Sequence, residues 1–169
     1  FGCSRFVYNY FLNKRKEQYQ KDKKSDNYYA QAKTLTDLKK QEDTIWLKEV
    51  NSQTLQFALR SLDTAYVNFF RGNAQFPKFK SRKHKNSFTV PQFGKLEDGK
   101  IILPKFKDGV KVKLHRKVKG KIGKMNITRT STGKYYVSMF TEQEIEQPPK
   151  TNKQNGIDLG LKDFVVTSN

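Results

Sequence analysis

Asp158 sits in Gly156-Ile157-Asp158-Leu159-Gly160, an ionisable side chain in the middle of an otherwise apolar run. An unpaired carboxylate in apolar surroundings is costly, so a residue placed in this way calls for a metal, a cation or a hydrogen-bond network. In phosphodiester hydrolysis two magnesium ions about 4 Å apart activate the water and stabilise the leaving oxygen, and carboxylates hold them. An aspartate borne on a strand suits that task because the backbone fixes the ligand. One carboxylate does not make such a site. Asp163 follows the turn-like Gly160 and reads as a surface residue, and Glu142, Glu144 and Glu146 alternate with Gln143, Ile145 and Gln147 as on an exposed strand edge. At least two further ligands are expected from outside these residues. A structural aspartate capping a turn is the plainer alternative.

The second chemistry is cationic. Thirty-four Lys and Arg against 16 Asp and Glu give a formal charge of +18, a field that draws polyanions. Residues 1–75 carry 13 basic and 8 acidic side chains, residues 76–124 carry 16 and 3, and the remainder carry 5 and 5, so the middle segment holds the excess. Within it, Lys78, Lys80, Arg82, Lys83 and Lys85 interleave with Phe76 and Phe79. Such a tract can lay cations along a phosphate backbone while its rings anchor in the fold or stack on bases. Lys111 and Lys113 alternate with Val110, Val112 and Leu114, so a strand there turns one face to a core and the other to the polyanion. Nucleic acid is the partner this pattern favours. Six neutralised phosphates would make binding to a duplex fall as roughly the fifth power of salt concentration.

The elements that must hold these groups change character along the chain. Phe6, Val7, Tyr10, Phe11 and Leu12 recur at helical spacing, predicting an amphipathic helix over 4–20 and a charged loop over 21–27. Tyr28, Ala32, Leu35 and Leu38 predict a second helix over 28–41. Asn51 or Ser52 can cap a third, whose stripe Leu55, Leu59, Leu62, Tyr66 and Phe69 is the best in the chain and which Gly72 can stop. From Phe76 short alternating runs with Gly and Pro punctuation predict antiparallel β structure, a small barrel or curled sheet. Ile122 to Arg129 and Tyr135 to Thr141 read as a hairpin whose turn, 130–134, contains Gly133. A polar linker over 148–154 precedes the apolar run 156–167, which needs cover on both faces and so reads as the start of a domain lying mostly outside the chain.

With Cys3 alone there is no internal disulfide and no cysteine zinc site, so a reducing cytoplasm is the simpler compartment. No apolar run approaches the roughly 20 residues that span a bilayer. The opening segment lacks the basic leader and cleavage site of a signal peptide, and the missing initiator Met suggests a chain that begins inside a longer one.

FGCSRFVYN at the start, DTIWLKEV (43–50), TLQFALRSLDTAYVNFF (54–70), FPKFKSRK (76–83) and GIDLGLKDFVV (156–166) resemble, in sequence and order, the TnpB family, the OrfB group of insertion-sequence proteins related to compact type V CRISPR nucleases. The resemblance implies an α+β chain: a helical recognition lobe over 1–75, a wedge-type antiparallel β-barrel over 76–147, a linker over 148–154 and, from 155 to 169, the first strand of a ribonuclease-H-like RuvC domain. It implies Asp158 as the first of three catalytic, magnesium-binding carboxylates, with the other two and a four-cysteine zinc ribbon downstream. Guide RNA and target DNA are the implied partners, and a short DNA motif beside the target would be read by Tyr28, Gln56 and Thr89, with Ser52, Gln53 and Ser87 beside them. Ser52 and Gln53 depart from the family's usual residue types, which leaves the recognised motif open. Two other readings stand beside this one. A nuclease-dead relative would use guide RNA only to occupy DNA and repress transcription. An actin-like ATPase opens on a similar Gly-Ile-Asp-Leu-Gly turn, though small hydroxylated residues usually follow it where this chain has Leu161 and Lys162.

Overall fold

The computed structural model describes residues 1–83, 86–147, 149 and 155–168. Helix α1 spans Gly2–Asp22, α2 Tyr28–Leu38 and α3 Ser52–Phe70, with a 3₁₀ helix, Glu42–Glu49, between the last two. Strands β1 (Asn86–Val90), β5 (Lys121–Arg129) and β6 (Tyr135–Glu142) form one antiparallel sheet in the order β1-β5-β6. Strands β2 (Lys95–Glu97), β3 (Lys100–Leu103) and β4 (Phe106–Lys111) form a second, and β7 (Ile157–Asp158) pairs with β8 (Val166–Thr167) in a short hairpin.

The helical half buries the stripes that periodicity singles out. Leu55, Leu59, Leu62 and Tyr66 of α3 meet Val7, Tyr8, Phe11 and Leu12 of α1, Leu35 and Leu38 of α2, and Leu47 of the 3₁₀ helix in one core. Asn27 caps α2 through its side-chain oxygen, which accepts from the Ala30 N–H at 3.0 Å, and Asn51 does the same for α3 from the Gln53 N–H at 3.1 Å. The second helix ends at Leu38, three residues short of the expected boundary. There the chain tightens: the N–H groups of Lys40 and Gln41 donate three residues back, to Asp37 and Leu38. The Thr44 hydroxyl then donates to the Leu38 carbonyl and starts the 3₁₀ turn that delivers Leu47 to the core.

Two buried polar residues in this half break the apolar pattern. Arg15 is 4% exposed, donates to Asp63 at 2.7 Å and lies with its guanidinium carbon 4.7 Å from the Tyr66 ring centroid. Gln31 is fully buried and donates to the Phe11 carbonyl at 3.5 Å. Removing one partner of a buried pair strands the other's charge, at about 3–5 kcal/mol. Asp63 is half-exposed, so water offsets part of that. Asp63→Ala is expected to cost about 2 kcal/mol in urea unfolding, and a loss below about 0.5 kcal/mol, the range of ordinary surface substitutions, would show that Arg15 is held by Tyr66 alone.

The β half does not close into a barrel. Its two three-stranded sheets share a core of Val90, Ile101, Leu103 and Met125, but among the described residues the outer edges of β4 and β6 have no strand partner, so no continuous ladder runs round. An apolar cavity of about 670 Å³, lined among others by Phe1, Val50, Phe88, Leu103 and Val137, lies where the sheets meet the helices. The hairpin β5–β6 forms as expected, with Gly133 at φ 82° and its N–H donating to Thr130. The strand expected to run through Leu114 stops at Lys111. Its partner β3 begins at Lys100, which pairs with Lys111, so beyond that point one last bond, from the Val112 N–H to the Gly99 carbonyl, ends the ladder. The expected exposed strand through Glu146 likewise ends at Glu142. The linker falls mainly outside the described residues.

Candidate nucleic-acid interface

The segment 76–83 crosses from the helices to β1 as an extended strap. Phe76 plugs it to α3, 5.6 Å from Tyr66 and 5.3 Å from Phe69 between ring centroids. Farther along, Asn9 of α1 grips the main chain of Lys80 with both ends of its amide. The Lys80 N–H donates to the Asn9 Oδ1 at 2.8 Å, and the Asn9 Nδ2 donates to the Lys80 carbonyl at 2.9 Å. Of the expected phosphate cations, Lys78, Lys80, Arg82 and Lys83 are all exposed along this strap. Lys80 differs: its ammonium lies 4.1 Å from the Tyr8 ring centroid, and loss of solvent around it pushes its pKa below the ordinary lysine range. Lys85 lies outside the described residues.

On the β module, Lys111 ends β4 and Lys113 opens the loop that follows; both are exposed. That loop carries three cations the sequence reading passed over, Arg116, Lys117 and Lys119, and with Val112 and the β6 residues Ser138 and Thr141 it frames a cavity of about 530 Å³. The run His115-Arg116-Lys117-Val118-Lys119 was the available signal, obscured because it lies outside any periodic segment. Among the described residues the β half forms one ion pair, Lys95 with Glu97 at 3.5 Å. Its excess charge is therefore left for an external polyanion.

The residues expected to read bases fall on two surfaces. Ser52, Gln56 and Arg60 stand one helical turn apart on the exposed side of α3, with Tyr28 accepting from the Arg60 Nε at 3.3 Å and Ser52 accepting from the Lys39 ammonium at 2.7 Å. Gln53 donates to Gln92 at 3.3 Å, which ties α3 to the residues after β1, and α3 packs along that strand. Ser87 and Thr89 point away from the Phe88 and Val90 side of β1; Thr89 donates to Asn126 of β5 at 3.2 Å.

Asp158 stands apart from both. It is exposed, opposite Val166 in the two-residue ladder of β7 and β8, and every described residue of that hairpin is exposed as well. The desolvation cost inferred from its apolar neighbours is thus not incurred here, since Ile157, Leu159 and Phe164 are themselves 69%, 71% and 89% exposed. Among the described residues no three His, Cys, Asp or Glu side chains come together as a metal site. Asp158 is therefore a lone carboxylate among the described residues, without the companions that a metal site needs.

A helix-turn-helix domain of the OrfB type found in IS605 elements matches residues 1–24, which here are α1 and its exit. A protein of Escherichia coli (strain K12) named "Putative RNA-guided DNA endonuclease InsQ" is 35% identical over 170 positions, 99% of this chain and 42% of InsQ. The chain belongs to the OrfB (TnpB) family. A Streptomyces pristinaespiralis protein named "Putative RNA-guided DNA endonuclease" is 32% identical over 173 positions, 99% of this chain and 43% of that protein. "Virulence protein VsdF" of Salmonella dublin is 39% identical over 93 positions, half of this chain and 77% of VsdF. The OrfB chain thus spans less than half the length of the two relatives named as endonucleases. No helix among its described residues is long and apolar enough to cross a membrane.

Proposed function

We propose that this chain is the nucleic-acid-recognising region, with the opening of the nuclease domain, of a cytoplasmic RNA-guided DNA endonuclease carried by an insertion sequence. The observation that carries the reading is similarity along 99% of the chain to two proteins bearing that name. The unpaired cations of the β half and strap suit a phosphate backbone. In this reading they hold guide RNA, the helical half is the recognition lobe, and the two sheets serve as the wedge domain. A short motif beside the DNA target is read by α3 and β1, and pairing between guide and target supplies the remaining specificity. Residues from Gly156 onward open a RuvC-like domain in which Asp158 is one metal-binding carboxylate, its companions and a zinc ribbon coming from other sequence.

Reprogramming the guide tests this directly. The complete protein, expressed with RNA transcribed from beside its gene, is expected to cut a plasmid chosen by the guide sequence in the presence of magnesium. Guided occupancy without cutting would replace the reading with a nuclease-dead repressor. Cutting or binding that ignores the guide would end it.

A further inference from the structure

We propose that Arg60 reads a guanine in duplex DNA from the outer stripe of α3, and that Tyr28 serves as the positioning residue that aims it. This deepens the motif-reading part of the proposed function and rests on it. The stripe is unusual for this chain. Ser52, Gln56, Arg60 and Thr64, each four residues on from the last, are all exposed, yet in a sequence that is 30% charged they include no acid and one cation. A helix face that is merely solvated would be expected to carry Lys and Glu here. Hydroxyls, an amide and a guanidinium instead supply the donors and acceptors that match base edges.

Arg60 is held by one side only. Its Nε donates to the Tyr28 hydroxyl at 3.3 Å, and its guanidinium carbon lies 5.3 Å from the centroid of the same ring. Among the described residues its two η nitrogens have no hydrogen-bond or ion-pair partner. The carboxylate nearest along the helix, Asp63, is taken by Arg15 at 2.7 Å. The guanidinium is therefore a fork with a fixed handle and free tines, the geometry suited to two parallel acceptors such as guanine O6 and N7. Tyr28 has its hydroxyl and its ring engaged in holding that fork, which accounts for a tyrosine here without giving it a base of its own.

A second observation orients the helix. At its Ser52 end three lysines gather: Lys39 donates to Ser52, Lys105 donates to the Lys48 carbonyl, and burial together with the charges of Lys105 and Lys48 lowers the Lys39 pKa. Among the described residues no carboxylate pairs with any of the three. Such a cluster fits a backbone phosphate and sets the register, while the stripe beyond it meets bases. The major groove of B-form DNA admits a helix, whereas that of A-form RNA is too deep and narrow, so the occupant is DNA.

The complete protein with its guide RNA would be used to select from duplexes that share one guide-matched target and carry random flanking bases. The native protein is expected to select guanine at one flanking position. Arg60→Ala should lower that preference about 10- to 100-fold at this position alone, Arg60→Lys should not restore it, and Tyr28→Phe should weaken it there in part, all with guide RNA binding unchanged. Loss spread evenly over all sequences, with a shallower salt dependence, would make Arg60 a phosphate contact and overturn the proposal. So would an unchanged preference, or one lost for a base other than guanine. A native protein that binds guide RNA but prefers no flanking base would overturn the motif reading itself.

Discussion

Asp158→Ala in the complete nuclease is expected to lower guided, magnesium-dependent DNA cleavage by more than about a hundredfold, while guided binding to DNA stays as it was. Losing a group that only supports a metal ligand costs about 10- to 100-fold, and loss of the ligand itself should exceed that. Binding is spared because Asp158 lies on the β7–β8 hairpin, whose carboxylate makes no hydrogen bond or ion pair with the cation-bearing strap or with α3 among the described residues. The binding assay makes the variant easy to interpret: guided binding that is retained excludes misfolding as the cause of lost cutting. Gel assays of cleavage and of binding on one guide-matched duplex check it. Cleavage that survives would remove Asp158 from the metal site; cleavage and binding lost together would give it a structural role.

Reversing Lys78, Arg82 and Lys83 together to glutamate should weaken guide RNA binding on the order of a hundredfold at 0.1 M salt and make the log–log salt dependence shallower by about two. The figure follows from about 0.7 released counterions per phosphate on a single strand, times three contacts, extrapolated to the 1 M reference where that contribution vanishes. Lys80 is a poorer probe of phosphate contact. Its ammonium is committed to the Tyr8 face, so Lys80→Glu would disturb packing as well as charge. Fluorescence titration at several salt concentrations gives both numbers, and an unchanged slope would move the RNA to another surface, with Lys113 and Arg116 to Lys119 the next to be reversed.

How far the sequence reveals the molecule depends on how local the deciding physics is. The α3 stripe and the β5–β6 hairpin are legible because period and turn chemistry lie within about 20 residues of chain. Arg15 is not, because its burial depends on Asp63, 48 residues away, and on a ring beneath it. The barrel expectation fails for a similar reason: alternation says which face of a strand is apolar but not whether β4 and β6 find partners for their edges. At the candidate site the cations of the strap are legible from composition, yet Lys80 is drawn off by a ring 72 residues earlier. Asp158 is legible as a residue type, while its exposure is not, since six flanking apolar residues suggest burial that nothing among the described residues provides. Tyr28 comes into view through family resemblance, and Arg60 only through the bond between them.

The grip of Asn9 on Lys80 has a consequence for how such proteins diverge. An amide that holds a neighbour's peptide N–H and carbonyl is indifferent to the side chain between them, so the strap stays anchored whichever residue occupies position 80. Charge along the strap can then drift to follow a changing RNA while its path over α1 is kept. Position 9, by contrast, is expected to tolerate little but asparagine in any homologue that keeps this crossing.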